Sequence, residues 1–155
     1  MSNPAAATLI LICGLPGSGK TTLAKRLERE RNALRLCPDE WIATLLRDPV
    51  DREELHRLRS PVEAMQWEVA ARALTLGTNV ILEWGFWSKA ERTDYRMRAE
   101  ALGAIVETHV LIVEREELRA RLSRRNADLP PGTVTVTEAE LDVWWDLFGP
   151  LADEP

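Results

Sequence analysis

Eight consecutive residues, Gly14-Leu-Pro-Gly-Ser-Gly-Lys20-Thr21, limit what this chain can fold into more than any other stretch. They follow the apolar run Thr8 to Cys13 and lead into Thr22-Leu-Ala-Lys-Arg-Leu-Glu-Arg-Glu30. The pattern is G-x-x-x-x-G-K-[ST] between a buried strand and an amphipathic helix, the context in which it carries a mechanism. Its glycines let the backbone turn tightly with N–H groups pointing inward, and a helix starting near Gly19 adds the positive end of its dipole. Gly14, Leu15, Pro16, Gly17, Ser18, Gly19, Lys20, Thr21 and Thr22 therefore read as a cradle for a polyphosphate. Lys20 reaches the β- and γ-phosphates as a point charge, the Thr21 hydroxyl binds the accompanying Mg²⁺, and Thr22 supports the α-phosphate. The plainer account, a glycine-rich turn beside a solvated lysine, leaves the flanking strand and helix unexplained.

The rest of the chain alternates strands and helices. Strands are expected at Thr8 to Cys13, Ala33 to Cys37, Asn79 to Glu83 and Ala104 to Val113; the nearly continuous apolar character of the first and third suits parallel strands covered on both faces. Helices are expected from Gly19 to Arg31, Trp41 to Arg47, Ser60 to Leu76, Ser88 to Leu102, Arg115 to Asn126 and Thr137 to Phe148, with a turn or two between Glu53 and Arg59. Three starts carry a capping box: Ser60-Pro-Val-Glu63, Ser88-Lys-Ala-Glu91 and Thr137-Glu-Ala-Glu140. Alternation of this kind means a three-layer α/β/α fold with a parallel sheet and right-handed crossovers, which gathers the chemistry at one sheet edge. Residues 1–7 read as a disordered lead-in, and no internal repeat or low-complexity stretch appears.

With 155 residues, one domain with a proper core is expected. The composition is 29% charged, too polar for a membrane span, and Met1-Ser-Asn-Pro lacks the basic start of a secretory signal. Cys13 and Cys37 each close a strand and fit neither a disulfide framework nor metal spacing, which suits a reducing cytoplasm. A formal net charge of −5 argues against a long nucleic acid as the main partner, although a local basic groove is compatible with it.

Several side chains are candidates for chemistry at the sheet edge. Asp39, after the second strand, can face the γ-phosphate and accept a hydroxyl proton during phosphoryl transfer; as an alternative or in addition, it caps the helix at Trp41. Glu83 ends the third strand and can hold Mg²⁺ or contact substrate, ahead of Glu114 in the same position on the fourth. Arg121, Arg124 and Arg125 share a helix face before the loop Asp128-Leu-Pro-Pro-Gly132, so a lid over residues 115–136 could bring at least one of them onto the phosphates. With Arg115 and Arg119 they could equally form a solvated face. Trp41, Trp84 and Trp87 lie near the same edge, where aromatic walls hold an apolar or planar acceptor, with packing as the competing account; Trp67, Trp144 and Trp145 read as core. Arg92 is expected either on substrate or exposed, and His56 and His109 suggest no metal or triad.

Taken in this order, the motif at Gly14 to Thr21, Cys37-Pro-Asp39-Glu40, Val80 to Trp87 and Arg121 to Asn126 resemble those of small P-loop kinases. The group includes AAA-type kinases of bacteria, the kinase half of polynucleotide kinases, zeta toxins and chloramphenicol phosphotransferase. The resemblance covers nearly all of residues 1–155 as a single kinase domain. It implies a sheet of order 2-3-1-4, often with a fifth strand, ATP with Mg²⁺ as cofactors, Asp39 as the base that activates the acceptor hydroxyl, and a lid role for Arg121, Arg124 or Arg125. No apolar run after Phe148-Gly-Pro150 supplies that fifth strand. The expected activity is transfer of the γ-phosphoryl group of ATP to a hydroxyl of a small molecule such as an antibiotic, nucleoside or sugar. The alternatives are a polynucleotide 5′-hydroxyl kinase, against which the acidic balance counts, and a nucleotide-binding regulatory module without transfer. The absence of an Asn/Thr-Lys-x-Asp motif disfavours a guanine-nucleotide switch.

Overall fold

The structure is a computed structural model that describes residues 5–46, 51–86, 88–129 and 135–148. In chain order it runs β1 (Thr8–Cys13), α1 (Lys20–Glu30), β2 (Leu34–Leu36), α2 (Pro38–Leu46), α3 (Arg52–Thr75), β3 (Val80–Gly85), α4 (Lys89–Ala101), β4 (Ile105–Val110), α5 (Arg115–Ala127) and α6 (Glu138–Phe148). The described strands form one four-stranded sheet, and its order β2-β3-β1-β4, parallel throughout, is the one expected.

The period of two along a strand sorts the core into layers. Leu9, Leu11 and Cys13 of β1 join Val80, Leu82 and Trp84 of β3 beneath Ala70 and Leu74 of α3 and Ala99 of α4. Ile10, Ile12 and Ile81 point the other way, onto Ala24 and Leu27 of α1. Both β1 and β3 are buried along their whole length, so they read as apolar runs, interrupted in β3 by Glu83, rather than as alternation. A third cluster lies beyond the carboxyl edge of the sheet, where Leu118 and Leu122 of α5 and Leu141 of α6 pack on Leu15 in the glycine-rich loop. Packed structure already begins at Ala7, within the stretch expected as lead-in: it is buried, and its carbonyl accepts from Ile105 N at 2.9 Å.

Two of the capping boxes start helices. Ser88 Oγ accepts from Glu91 N at 3.1 Å, and Thr137 Oγ1 accepts from Glu140 N at 3.1 Å while Glu140 Oε1 accepts from Thr137 N at 3.4 Å. The third, Ser60-Pro61-Val62-Glu63, does not: α3 starts eight residues earlier, runs through Pro61 and ends at Thr75. Its cap is Asp51, whose carboxylate accepts from Glu53 N at 2.8 Å and Glu54 N at 3.3 Å. Pro61 removes one helical hydrogen bond, at a cost of about 3 kcal/mol. Against this, Val62, Gln66, Ala70 and Leu74 form one buried stripe, and Arg59 grips Glu63 across the proline at 2.7 Å. Helix α2 also begins earlier than expected, with Pro38 in its first turn, so Asp39 lies inside the helix rather than ahead of it. Among the described residues no helix is long and apolar enough to cross a membrane.

Candidate active site

The crossover order makes β1 and β3 neighbours whose chains depart in different directions, and a crevice opens beyond their carboxyl ends. Gly14 N closes its floor by donating to Gly85 O at 3.0 Å. The loop then folds on itself: Ser18 donates to Leu15 O from its backbone N at 3.1 Å and from Oγ at 2.7 Å. A Cβ on Gly14 would collide with that hydroxyl, and at Gly17, with φ +83, it would lie 3.2 Å from the Leu122 side chain. Helix α1 starts at Gly19 with no side-chain cap and no acid in its first turn, which leaves its positive end to an external anion. The cleft measures 470 Å³, and Gly17, Lys20, Thr21, Thr22, Asp39 and Glu83 are among the residues lining it.

Lys20 folds back onto its own loop, with Nζ donating to Gly14 O at 2.9 Å and Leu15 O at 3.0 Å. Burial pulls its pKa down to about 8 against the opposing charges of Asp39 and Glu83, with Arg59 and Arg125 adding to the fall. Asp39, in the first turn of α2, lines the same cleft, and its Oδ1 accepts from Arg59 Nη1 at 2.9 Å.

Glu83 belongs inside β3, which runs to Gly85, rather than at its end, and its side chain is 2% exposed. Oε2 accepts from Arg35 Nη2 at 3.0 Å, whereas Oε1 is buried with no hydrogen-bond partner among the described residues. Arg35 also forks onto Glu40 at 3.0 and 2.8 Å. Burial and the neighbouring Glu83 push the Cys37 thiol up to about 12, so it stays a thiol. A buried carboxylate oxygen without a partner among the described residues, on a side chain that lines one cleft with Thr21 and Lys20, beside a cradle in which a Cβ is excluded at Gly14, fits a hydrated divalent cation with a polyphosphate. Glu114 is exposed at the start of α5 and does not line the cleft.

The three candidate arginines among the five of α5 part company. Arg125 lines the cleft, where burial lowers its pKa and the Asp39 charge opposes the fall. Arg121 reaches Gly17 O at 3.4 Å while holding Glu117 at 3.0 Å. Arg124 has a side chain 73% exposed, lies 3.8 Å from Glu117 and is not among the residues lining the cleft.

The aromatic residues mostly serve packing. Trp41 is partly buried against the main core. Trp84 belongs to β3 rather than to a loop; its indole donates to Gln66 Oε1 at 3.0 Å, stacks on Phe86 at 5.6 Å and meets the Tyr95 ring edge-on at 4.9 Å. Trp84 also lines the cleft, with the residue 3% exposed. Trp87 lies outside the described residues. Arg92 overturns the expectation of exposure: it is 1% exposed and donates to the Phe86 carbonyl, at a residue with φ +44. That donation satisfies the carbonyl of a left-handed turn. His109 Nε2 donates to the Glu107 carboxylate at Oε1, 2.6 Å away, in a pair that Arg31 completes at 2.9 Å, among residues that do not line the cleft.

Sequence reasoning missed Arg59 and Gln66. Both lie on α3, and the signal, the i,i+4 pair Arg59 and Glu63, was split by reading a helix start at Ser60.

The AAA domain family matches residues 9–151 of this chain. No curated protein matches it. Among solved structures, a chain of the Pnkp1/Rnl/Hen1 RNA repair complex superposes with a TM-score of 0.73 at 20% identity, over 92% of this chain and 44% of that one. A kinase candidate from Chloroflexus aurantiacus gives 0.72 at 22% identity, over 90% and 75%. Kti12 of Chaetomium thermophilum, solved with ADP-AlF3, gives 0.63 at 21% identity, over 90% and 79%. This chain thus spans less than half of the RNA-repair chain, and the likenesses are of fold: that of the small P-loop kinases.

Proposed function

This chain belongs to the AAA domain family, and from that premise we propose that it is an ATP-dependent kinase transferring the γ-phosphoryl group to a hydroxyl of a small molecule. The observation that carries this reading is the shared cleft, which Asp39 lines together with Lys20 and Thr21 of the cradle, with the Asp39 charge acting on Lys20. The nucleotide-bound neighbour Kti12 is consistent with ATP in such a cradle.

ATP with Mg²⁺ supplies the phosphoryl group and neutralises part of its charge. Residues 14–22 would hold the phosphates, and Thr21 with the free oxygen of Glu83 would hold the metal ion. The Lys20 ammonium leaves the Gly14 and Leu15 carbonyls for the phosphates. Asp39 orients the acceptor oxygen and takes its proton as that oxygen bonds to phosphorus and ADP departs. Arg125, and Arg121 beside the loop, offset the charge spread over the transferring group. Helix α5, with the segment to residue 136, is the lid over residues 115–136; residues 130–134 lie outside the described residues. The whole acts as one kinase domain.

The test is transfer from labelled ATP with Mg²⁺ to a panel of hydroxyl compounds, with Asp39→Asn alongside. Turnover should fall by roughly 10²–10⁴-fold in the variant while ATP affinity is kept. A protein that binds ATP and phosphorylates none of the panel would instead be a non-catalytic nucleotide-binding module.

A further inference from the structure

We infer that the acceptor occupies a second pocket adjoining the cleft, and that this pocket selects a hydroxyl compound bearing a protonated amine, such as an amino sugar or amino alcohol. The inference rests on the kinase reading above for the word acceptor, and on the pocket itself for the chemistry.

The pocket measures 270 Å³ and shares Arg59 and Trp84 with the phosphate cleft. His56, Arg59 and Glu63 enter it from one face of α3, at spacings of three and four. Glu91 comes from the first turn of α4, Phe86 from just after β3 and Trp144 from α6. Such a volume suits a monosaccharide-sized group. Four elements of the scaffold build it, and one guanidinium forms the boundary with the cleft. On the cleft side Arg59 Nη1 holds Asp39 at 2.9 Å; on the pocket side its Nε holds Glu63 at 2.7 Å. A hydroxyl lying along Arg59 is therefore delivered to the candidate base.

The charge of the pocket gives the ligand class. Arg59 is already shared by two carboxylates, Asp39 and Glu63. Glu91 is half-buried and has no side-chain hydrogen bond or ion pair among the described residues. Burial, with the charge of Glu63 adding to it, raises its pKa against Arg59 and Arg92. Arg92 itself donates to the Phe86 carbonyl. A carboxylate in this position is stabilised by a ligand that brings a cation and hydrogen-bond donors, which an ammonium group does. The flank of Trp144 takes the apolar face of a sugar ring or short carbon chain. A polyanion fares worse: an oligonucleotide 5′-end would bring its phosphates beside Glu63 and Glu91.

The test uses matched pairs, glucosamine against glucose and N-acetylglucosamine, and serinol against glycerol. Calorimetry on the full chain reads their binding in the presence of a non-hydrolysable ATP analogue with Mg²⁺, and labelled ATP reads transfer. The amines should bind at least about tenfold more tightly than their neutral counterparts. Glu91→Gln should bring that preference to about twofold or less, and Glu91→Asp, which keeps the charge, should retain most of it. Equal binding of amine and neutral partners, a preference untouched by Glu91→Gln in a folded protein, or no binding of either amine to a protein that binds the ATP analogue would overturn the inference. So would preferential phosphorylation of a 5′-hydroxyl oligonucleotide. Amine binding that depends on Glu91 without phosphate transfer would leave the pocket assignment standing and defeat the kinase reading. Transfer to neutral partners alone would do the reverse.

Discussion

Arg59 holds Asp39 at 2.9 Å from a helix whose start is masked in the sequence by a proline, and it also donates to Trp84 O at 2.9 Å. One guanidinium thus joins α2, α3 and β3 at the mouth of the cleft. Its planar fork makes these contacts simultaneously, which a lysine cannot. The carboxylate read as the base is oriented by a residue 20 positions away in the chain.

Arg59 is therefore a positioning residue. In Arg59→Ala, kcat should fall by roughly ten- to a hundredfold, while KM for ATP changes by no more than about twofold. Arg59→Lys should recover only part of the loss. Steady-state kinetics decides: equal losses in both parameters, or full rescue by lysine, would point to a generic structural contribution.

Lys20 makes the free protein pH-sensitive. Its pKa in the fold, about 8, lies below the 10.5 of an unperturbed lysine. Between those values the unfolded chain holds a proton that the folded chain has released, so Lys20 makes stability rise with pH across that window, and below it the buried charge is a cost. A triphosphate reverses the local balance by favouring the ammonium. Binding of ATP at pH 8.5 should then take up a proton, and affinity should decline as pH climbs past the Lys20 pKa. Calorimetry in buffers of different ionisation heat measures the uptake, and buffer-independent heats would refute it.

The lid arginines should not be equivalent. Arg125→Ala should lower kcat by roughly 10²-fold or more, as loss of an aimed cationic donor does. Arg124, 73% exposed, should tolerate alanine with about ±0.5 kcal/mol change in stability and near-normal turnover. Parallel kinetics on the two variants, with thermal unfolding as the fold control, tests the distinction.

Helix α5 is seated on the phosphate loop through Leu122, which is 3% exposed and crowds the space beside Gly17. Leu122→Ala should cost about 2–5 kcal/mol in a urea titration. It should also lower kcat, because Arg125 rides on the same helix. A destabilised variant with unchanged kcat below its unfolding transition would show that the seat does not matter to turnover.

Much of the fold was legible because it is encoded over short spans. The runs at Thr8–Cys13 and Val80–Gly85 are apolar at every buried position bar Glu83 and the ends, and the capping boxes at Ser88 and Thr137 announce their helices within four residues. The reading failed at Ser60-Pro61, where local chemistry looks like a start but the Asp51 cap before the proline, the buried stripe after it and the Arg59–Glu63 pair across it outweigh that signal. It failed again at Arg92, whose burial depends on a carbonyl made available by the left-handed turn at Phe86.

The sequence alone determined the phosphate loop, the parallel α/β architecture and the presence of an acid after the second strand, because each is written in contiguous residues with a fixed periodicity or spacing. Tertiary structure decided which arginine lines the cleft, that Glu83 divides itself between Arg35 and an unpartnered side, and that Arg59 rather than any neighbour holds Asp39. Those relationships join residues 20 to 100 or so positions apart. Only the crossovers that stack β2, β3, β1 and β4 bring them within hydrogen-bonding distance, and no local pattern records which side chains will meet there.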